Sequence, residues 1–536
     1  MKADRLRRFI DLHAWLGMVS GLALFVAFFA GAINVFHHEL HHWQESHHGH
    51  ELAAGPANPD HFLQQLISRF PASADRMYFL PDEDPGAMWF QPGEDGAAGE
   101  WRTAHASNFA EDGSFTQQPG SELADFVNEL HYELGIPGNG GLINIGMTLM
   151  GFVAVLYGVA LFSGLIIHWP KIRKELFALK HQGNLRRYWK NLHNLIGIIS
   201  FPFHLIMSVT GAAMGLFTVM AIVLGLLVFG PQLQGVIQKE TDVWPPVQSQ
   251  GETLAMAPMA DYLAAANNEL PGMDVGWVEI RGYGDAAGWM DVAGSQPGFL
   301  GHHVHVVLDN TMKPLRISAP GERTFNFAAI SPVYSLHFGD YGGVWVKLLY
   351  FAMGLLGSLL FVSGNILWCE RRSDRVGPSR SSAFLLRLTL GLCFGVVSGI
   401  AFSFLVSKLL PYTPWAALVA SAERQIFWWV LVVLVLWSLR ASPLRFSGLW
   451  LRIMPFLYLA IPLAQVAVEG SHAWQEPDAL LVNLVVVAVA ACLWGGRAQF
   501  RKRLRLAEPH PLWVGKVTRD HPKHLTETEL ENQGAG

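Results

Sequence analysis

The sequence predicts a mainly α-helical polytopic membrane protein of about eight spans, with an internally duplicated four-helix core and two small α+β domains outside the bilayer. Three observations predict it. Of 536 residues, 51% are hydrophobic and only 15% charged, against about a quarter charged in soluble domains. The apolar residues concentrate in long runs, and a helix rising about 1.5 Å per residue needs about 20 of them to cross about 30 Å of hydrocarbon. Finally, the same Leu-His signatures recur in the same order in two parts of the chain.

The runs place spans at 10–36, 142–168, 193–229, 344–368, 384–410, 425–439, 449–468 and 479–496. Lysine and arginine orient them. Lys2, Arg5, Arg7 and Arg8 precede the first span; Lys171, Arg173, Lys174, Lys180, Arg186, Arg187 and Lys190 fill the link between the second and third; Arg371, Arg372, Arg375 and Arg380 follow the fourth. All of these are expected on the cytoplasmic side. Arg440, Arg445 and Arg452, and the cluster from Arg497 to Arg505, keep the alternation, so both termini read as cytoplasmic. The first run lacks a convincing cleavage site and reads as an uncleaved anchor.

Two segments, 37–141 and 230–343, are then expected outside, joined by a cytoplasmic loop at 169–192 and followed, after a further four-span block at 384–500, by a cytoplasmic tail at 501–536. Met77 to Leu80, Met88 to Phe90, Val275 to Ile280, Trp289 to Val292 and Val304 to Leu308 read as strands broken by Gly, Pro and Asp-Gly or Asp-Asn turns. Helices at Ser121–Leu134 and Ala328–Leu336 end the two segments. Each segment is a small α+β unit, and the pair suggests a lid over the outer mouth of the bundle.

The repeat carries the functional reading. Leu12-His13 with Gly17 opens the first span, and Leu192-His193 with Gly197 opens the third; Leu130-His131 precedes the second, and Leu336-His337 the fourth. Ser163-Gly164 near the end of the second span matches Ser363-Gly364 in the fourth. Two copies of helix, outer unit, helix imply a pseudo-two-fold axis along the membrane normal. Equivalent histidines facing that axis converge on it, which pairs His13 with His193 near the inner face and His131 with His337 near the outer one.

One histidine at a helix end is ordinary interfacial chemistry, but four arranged by a repeat point to ligation. Opposed imidazoles with Gly17, Gly21 and Gly197 nearby fit two b-type haems, because a flat macrocycle needs axial nitrogens and close backbone approach. His204 is the second-choice ligand: it follows His193 by 204 − 193 = 11 residues, nearly the same helix face, but its repeat counterpart is Leu24. His168 reads as an interfacial residue beside Trp169.

These residues resemble the PepSY-associated transmembrane helix family, which includes inner-membrane ferric-siderophore reductases of Gram-negative bacteria. The resemblance covers about 1–375 and rests on Leu12 to Gly17, Leu130-His131, Ile167 to Pro170, Trp189 to Gly197 and Leu336 to Gly339. It implies a four-helix core, periplasmic PepSY-type α+β domains, two b haems and electron delivery to a ferric chelate in the periplasm. The block at 384–500 lies outside that plan. Quinol or partner docking, oligomerisation and plain packing all suit it.

Between His37 and His50, seven of fourteen residues are histidine. On a helix, His37/His41 and His38/His42 have the i,i+4 spacing of a metal site. His38-Glu39-Leu40-His41-His42 also matches the zinc-protease pattern H-E-x-x-H, a cheap match in so histidine-rich a run. His302, His303 and His305 could extend such a patch, with His303 and His305 on one strand face. The three cysteines, Cys369, Cys393 and Cys492, have no CxxC or CxxCH spacing, which disfavours a disulfide framework, c-type haem or an iron–sulfur cluster. The glycine-rich stretches carry no nucleotide pattern, and the basic loops follow from topology, not nucleic-acid binding.

The expected function is therefore an inner-membrane dihaem oxidoreductase that reduces a periplasmic ferric chelate, embedded in lipid and fed by a quinol or a separate reductase. The alternative is a non-redox protein that binds or carries metal ions, or a PepSY-type regulator.

Overall fold

The computed structural model describes residues 3–45, 58–81, 86–93, 99–110, 113–116, 120–136, 143–172, 185–233, 252–296, 298–301, 303–321, 323, 325–376, 379–506 and 508–514. The middle of the expected 169–192 loop, most of the 501–536 tail, and His47, His48, His50 and His302 lie outside them. Helix α1 (Ala3–Asn34) is followed by the short α2 (His37–Glu45), then α3 (Pro59–Arg69), α4 (Leu123–Glu133) and α5 (Ile145–His168). Next come α6 (Leu185–Ile199), α7 (Phe201–Gly215), α8 (Phe217–Leu224), α9 (Met259–Glu269), α10 (Phe325–Phe338) and α11 (Gly343–Val376). The chain closes with α12 (Arg380–Leu409), α13 (Val419–Arg440), α14 (Pro443–Glu469), α15 (Pro477–Leu506) and α16 (Pro511–Val514). Among the described residues, seven helices are long and apolar enough to cross a membrane, and the bent pair α6–α7 makes an eighth. The protein is a multi-pass membrane protein.

The third span departs from the single run expected at 193–229. It is two helices meeting at 69° around Ser200, then the separate α8. Its counterpart α1 is continuous. The cause is Pro202, which stands where α1 has Leu22: proline has no N–H to give the carbonyl four residues back, and its ring crowds that carbonyl. The equivalent serines behave alike, Ser20 Oγ donating to the Leu16 carbonyl at 2.7 Å and Ser200 Oγ to that of Ile196 at 2.5 Å. The break therefore belongs to the proline, not the serine.

The two segments expected outside the bilayer both contribute helices and strands, but they share one sheet. Strands β1 (Arg76–Leu80), β2 (Gly86–Gln91) and β3 (Glu100–His105) come from the first segment, and β4 (Asp274–Arg281), β5 (Trp289–Ser295), β6 (His303–Asp309) and β7 (Pro314–Ser318) from the second. Their order is β3-β2-β1-β4-β5-β6-β7, and every pairing is antiparallel. The seam is β1 against β4, with Met77 opposite Ile280 and Phe79 opposite Val278. Alternation points these residues into one core, covered by Phe62, Leu63 and Leu66 of α3 and Met259, Tyr262 and Ala266 of α9. Joining the halves removes two edge strands that would otherwise present unpaired backbone groups. Strands β3 and β7 were not read from the sequence.

The block from α12 onward packs as a bundle against α1, α2, α4 and α11. Its central contact is a glycine stripe on α12. A Cβ on Gly391 would meet Ser438 and Val435; on Gly395, Leu431 at 2.7 Å; on Gly399, Phe427 at 2.8 Å. Small residues four apart let helices approach closely where lipid gives no hydrophobic drive to associate. Replacing Gly395 by Leu is expected to cost about 1–3 kcal/mol by overpacking, lowering the melting temperature in detergent. The same change at Gly448, whose Cβ would meet nothing within 4 Å, should leave the melting temperature unchanged.

Candidate haem-ligand histidines

Each repeat places one histidine at either end of the core, and each imidazole is held by a neighbouring helix. His13, on α1, donates from Nδ1 to the Ala160 carbonyl of α5 at 2.8 Å. His193, on α6, donates from Nδ1 to the Leu360 carbonyl of α11 at 3.1 Å. Ala160, Ser163 and Gly164 in the first copy correspond to Leu360, Ser363 and Gly364 in the second. A Cβ on Gly164 would come within 3.0 Å of the His13 ring, and one on Gly364 within 3.2 Å of the His193 ring. Only glycine lets the two rings lie this close against their partner helices.

At the end of the bundle that bears the sheet, the same logic holds. His131, at the end of α4, donates from Nδ1 to the Ala27 carbonyl of α1 at 2.8 Å. His337, at the end of α10, donates to the hydroxyl of Thr210 on α7 at 2.8 Å, and that hydroxyl donates onward to the Ile206 carbonyl at 2.7 Å. Gly31 and its counterpart Gly211 face these rings. Burial holds the His131 imidazole below the ordinary histidine range. Burial, with the neighbouring His131, lowers His337 to about 3. Both rings are therefore neutral near pH 7, the protonation state of a metal-ligating histidine.

The structure brings the four together as two pairs. The ring centroids of His13 and His193 are 6.2 Å apart, and those of His131 and His337 are 5.9 Å apart. With Nδ1 spent on a hydrogen bond, Nε2 carries the free lone pair in all four rings.

His204 is placed differently. It is fully buried between the pairs, neither ring nitrogen has a hydrogen-bond partner, and its neighbours are Phe28, Tyr157, Phe203 and Phe361. No described imidazole opposes it. His168 closes α5 beside the exposed Trp169. Of the three glycines expected to admit a macrocycle, Gly17 has open space and Gly197 only ordinary contact with Leu360, whereas Gly21 serves close packing against Asn365.

The family model for the PepSY-associated TM region matches residues 10–371. The chain belongs to the PepSY-associated transmembrane family. An uncharacterized protein of Pseudomonas aeruginosa is 31% identical over 291 residues, which cover 50% of this chain and 72% of that one. The family match at residues 10–371 spans both repeats and all four histidines, and leaves α12 to α16 outside.

The residues of this PepSY-family chain meet the requirement of a bis-imidazole haem on one measurable point. An iron between two imidazoles separates the ring centres by roughly 6 Å, from metal–nitrogen bonds of about 2 Å and roughly 1 Å from each nitrogen to its ring centre. Both pairs have that separation.

Within the described residues, His37 to Glu45 of the histidine-rich run form α2. His37 and His41 share one face with Asp125 of α4, and His38 and His42 another with Asp478 of α15. The aspartates were not legible in the sequence, being 84 or more residues away from these histidines. Glu39, the general base of the protease pattern, is buried and bound by Lys347 at 2.6 Å, so it is not available to activate water. His303 and His305 pair with Asp340 and Asp291 and join neither cluster.

Proposed function

We propose that this PepSY-family protein is an inner-membrane oxidoreductase that holds two b-type haems and reduces a ferric chelate, of the siderophore class, on the side of the sheet. The observation that carries the reading is the pair of opposed, Nδ1-anchored histidines at each end of one helix bundle. The positive-inside bias favours a cytoplasmic position for both termini and for the His13–His193 pair. The sheet would then be periplasmic.

Bound at the two pairs, haem would supply a one-electron Fe(III)/Fe(II) couple near each face of the membrane. The chain's own contribution is positional. The backbone carbonyls of Ala160, Leu360 and Ala27 and the Thr210 hydroxyl fix the tautomer and ring plane of each ligand. Phe28, Tyr157, Phe203, His204 and Phe361 fill the space between the pairs and keep water out of it.

The substrate is a ferric ion in a hard oxygen cage. Adding one electron is sufficient to release it, because such ligands hold Fe(II) far less well than Fe(III). No general acid or base is required. The electron comes from a membrane quinol or a separate reductase.

Haem quantified per chain in detergent-purified protein, with oxidised and reduced visible spectra, tests the reading. Two low-spin b haems are expected, and their absence after expression with ample haem supply would favour the non-redox alternative. His131→Ala with His337→Ala should remove one haem per chain while membrane insertion persists; two haems in that double variant would sink the assignment. His204→Leu, which installs the residue of the other repeat, should keep both haems, and loss of one would make His204 a ligand.

A further inference from the structure

The histidines of α2 take no part in holding the core pairs, yet one face of that helix is arranged around a point in space. The Nε2 atoms of His37 and His41 lie 3.4 Å and 3.5 Å from the same Oδ1 of Asp125. Their ring centroids are 4.6 Å apart. The two Nε2–Oδ1 separations exceed ordinary hydrogen bonds. They are close to those of ligand atoms around a shared ion, about 3.0 Å in octahedral and about 3.4 Å in tetrahedral geometry for bonds of about 2.1 Å. Nε2 of His37 is buried without a hydrogen bond.

The second cluster differs. Nδ1 of His42 and Oδ2 of Asp478 are already joined at 2.6 Å, and His38 and His42 are exposed.

We propose that His37, His41 and Asp125 form a binding site for a divalent first-row transition ion of the Fe(II) or Zn(II) kind. Two imidazoles and one carboxylate suit such ions; the set offers no thiolate or thioether for Cu(I) and too few oxygens for Mg²⁺ or Ca²⁺. The Asp125 side chain is 54% exposed, so an ion can enter and solvent can complete its coordination.

The elements are held in place without the ion. The Ala124 amide donates to Gln44 Oε1 at 2.9 Å, tying α4 to α2. Arg424 of α13 clamps Glu129 at 2.9 Å, and Trp43 Nε1 donates to Gln465 of α14 at 2.8 Å.

Asp125 and His131 are 131 − 125 = 6 residues apart on α4, about 9 Å along its axis. The ion therefore binds on the same short helix as His131, between one and two turns away. On the ferric-reductase reading, and resting on it, this is where ferrous iron is first received as its chelate lets go. Binding itself does not depend on that reading.

The test is calorimetric titration of the full chain, purified in detergent without a polyhistidine tag and stripped with chelator, using ZnCl₂ alone. One zinc per chain is expected at this site. Asp125→Asn and His41→Gln should each weaken it at least about tenfold, and Asp478→Asn should leave it unchanged. Zinc should also raise the melting temperature of the wild-type protein, a linkage effect, and should fail to do so in Asp125→Asn. Wild-type affinity in both ligand variants, or no zinc-dependent rise in the wild type, overturns the proposal. Zinc binding in a chain that proves to contain no haem upholds the site while the reductase reading falls.

Discussion

Each of the four core imidazoles donates one ring N–H to an adjacent element, and the rest of the bundle is arranged around that constraint. A polar ring inside an apolar helix bundle costs free energy unless its nitrogens are satisfied. Three of the four find a backbone carbonyl on the neighbouring transmembrane helix, and the fourth finds a threonine hydroxyl that passes its own proton to another carbonyl. Carbonyls are normally consumed within their helix, but each has a second lone pair. That spare capacity lets a helix anchor an imidazole without breaking its own ladder. The glycines opposite the rings supply the remaining condition, room to approach.

His204 shows what the constraint excludes. It sits on the same chain segment as His193 and is fully buried, yet among the described residues it finds neither a hydrogen-bond partner nor an opposing imidazole. The bend at Pro202 separates its helix from that of His193 by 69°, so 11-residue spacing no longer means a shared face. A helical wheel assumes a straight helix, and here the helix is not straight.

The four-span block outside the family match is bound to the core at both ends. Near the sheet, Lys408 and Glu469 form a buried ion pair at 2.7 Å, with Trp43, Gln465 and Asn483 completing a polar network. Breaking a buried pair by removing one partner typically costs about 3–5 kcal/mol, so α2 is firmly tied to α12, α14 and α15. Arg424 pairs with Glu129 of α4, and Glu423 accepts from the Glu122 amide at its start. At the opposite end, Trp513 donates to Glu370 at 2.8 Å and His510 pairs with Asp374. The block thus braces the two short helices that carry Asp125, His131 and the α2 histidines, adding to the contacts that His131 makes with α1 and Glu39 with Lys347 of α11.

Much of this was legible in the chain. Apolar run length reports membrane spans because hydrocarbon thickness is a fixed length, and all eight runs correspond to helices or to the bent pair. The repeat of Leu-His and Ser-Gly determined which histidines could face one another, since a two-fold axis turns equivalence in sequence into opposition in space. Strand-like pieces bounded by Gly, Pro and Asp-Gly or Asp-Asn turn signals located five of the seven strands among the described residues. Tertiary structure alone decided the rest. Whether two α+β segments stay apart or share a sheet depends on edge pairing between β1 and β4, which are about 200 residues apart. Asp125 and Asp478 meet the α2 histidines only through the packing of α4 and α15. A metal-like cluster of that kind has no local spacing to read, because its geometry is set by which helices become neighbours, and that is a property of the whole bundle.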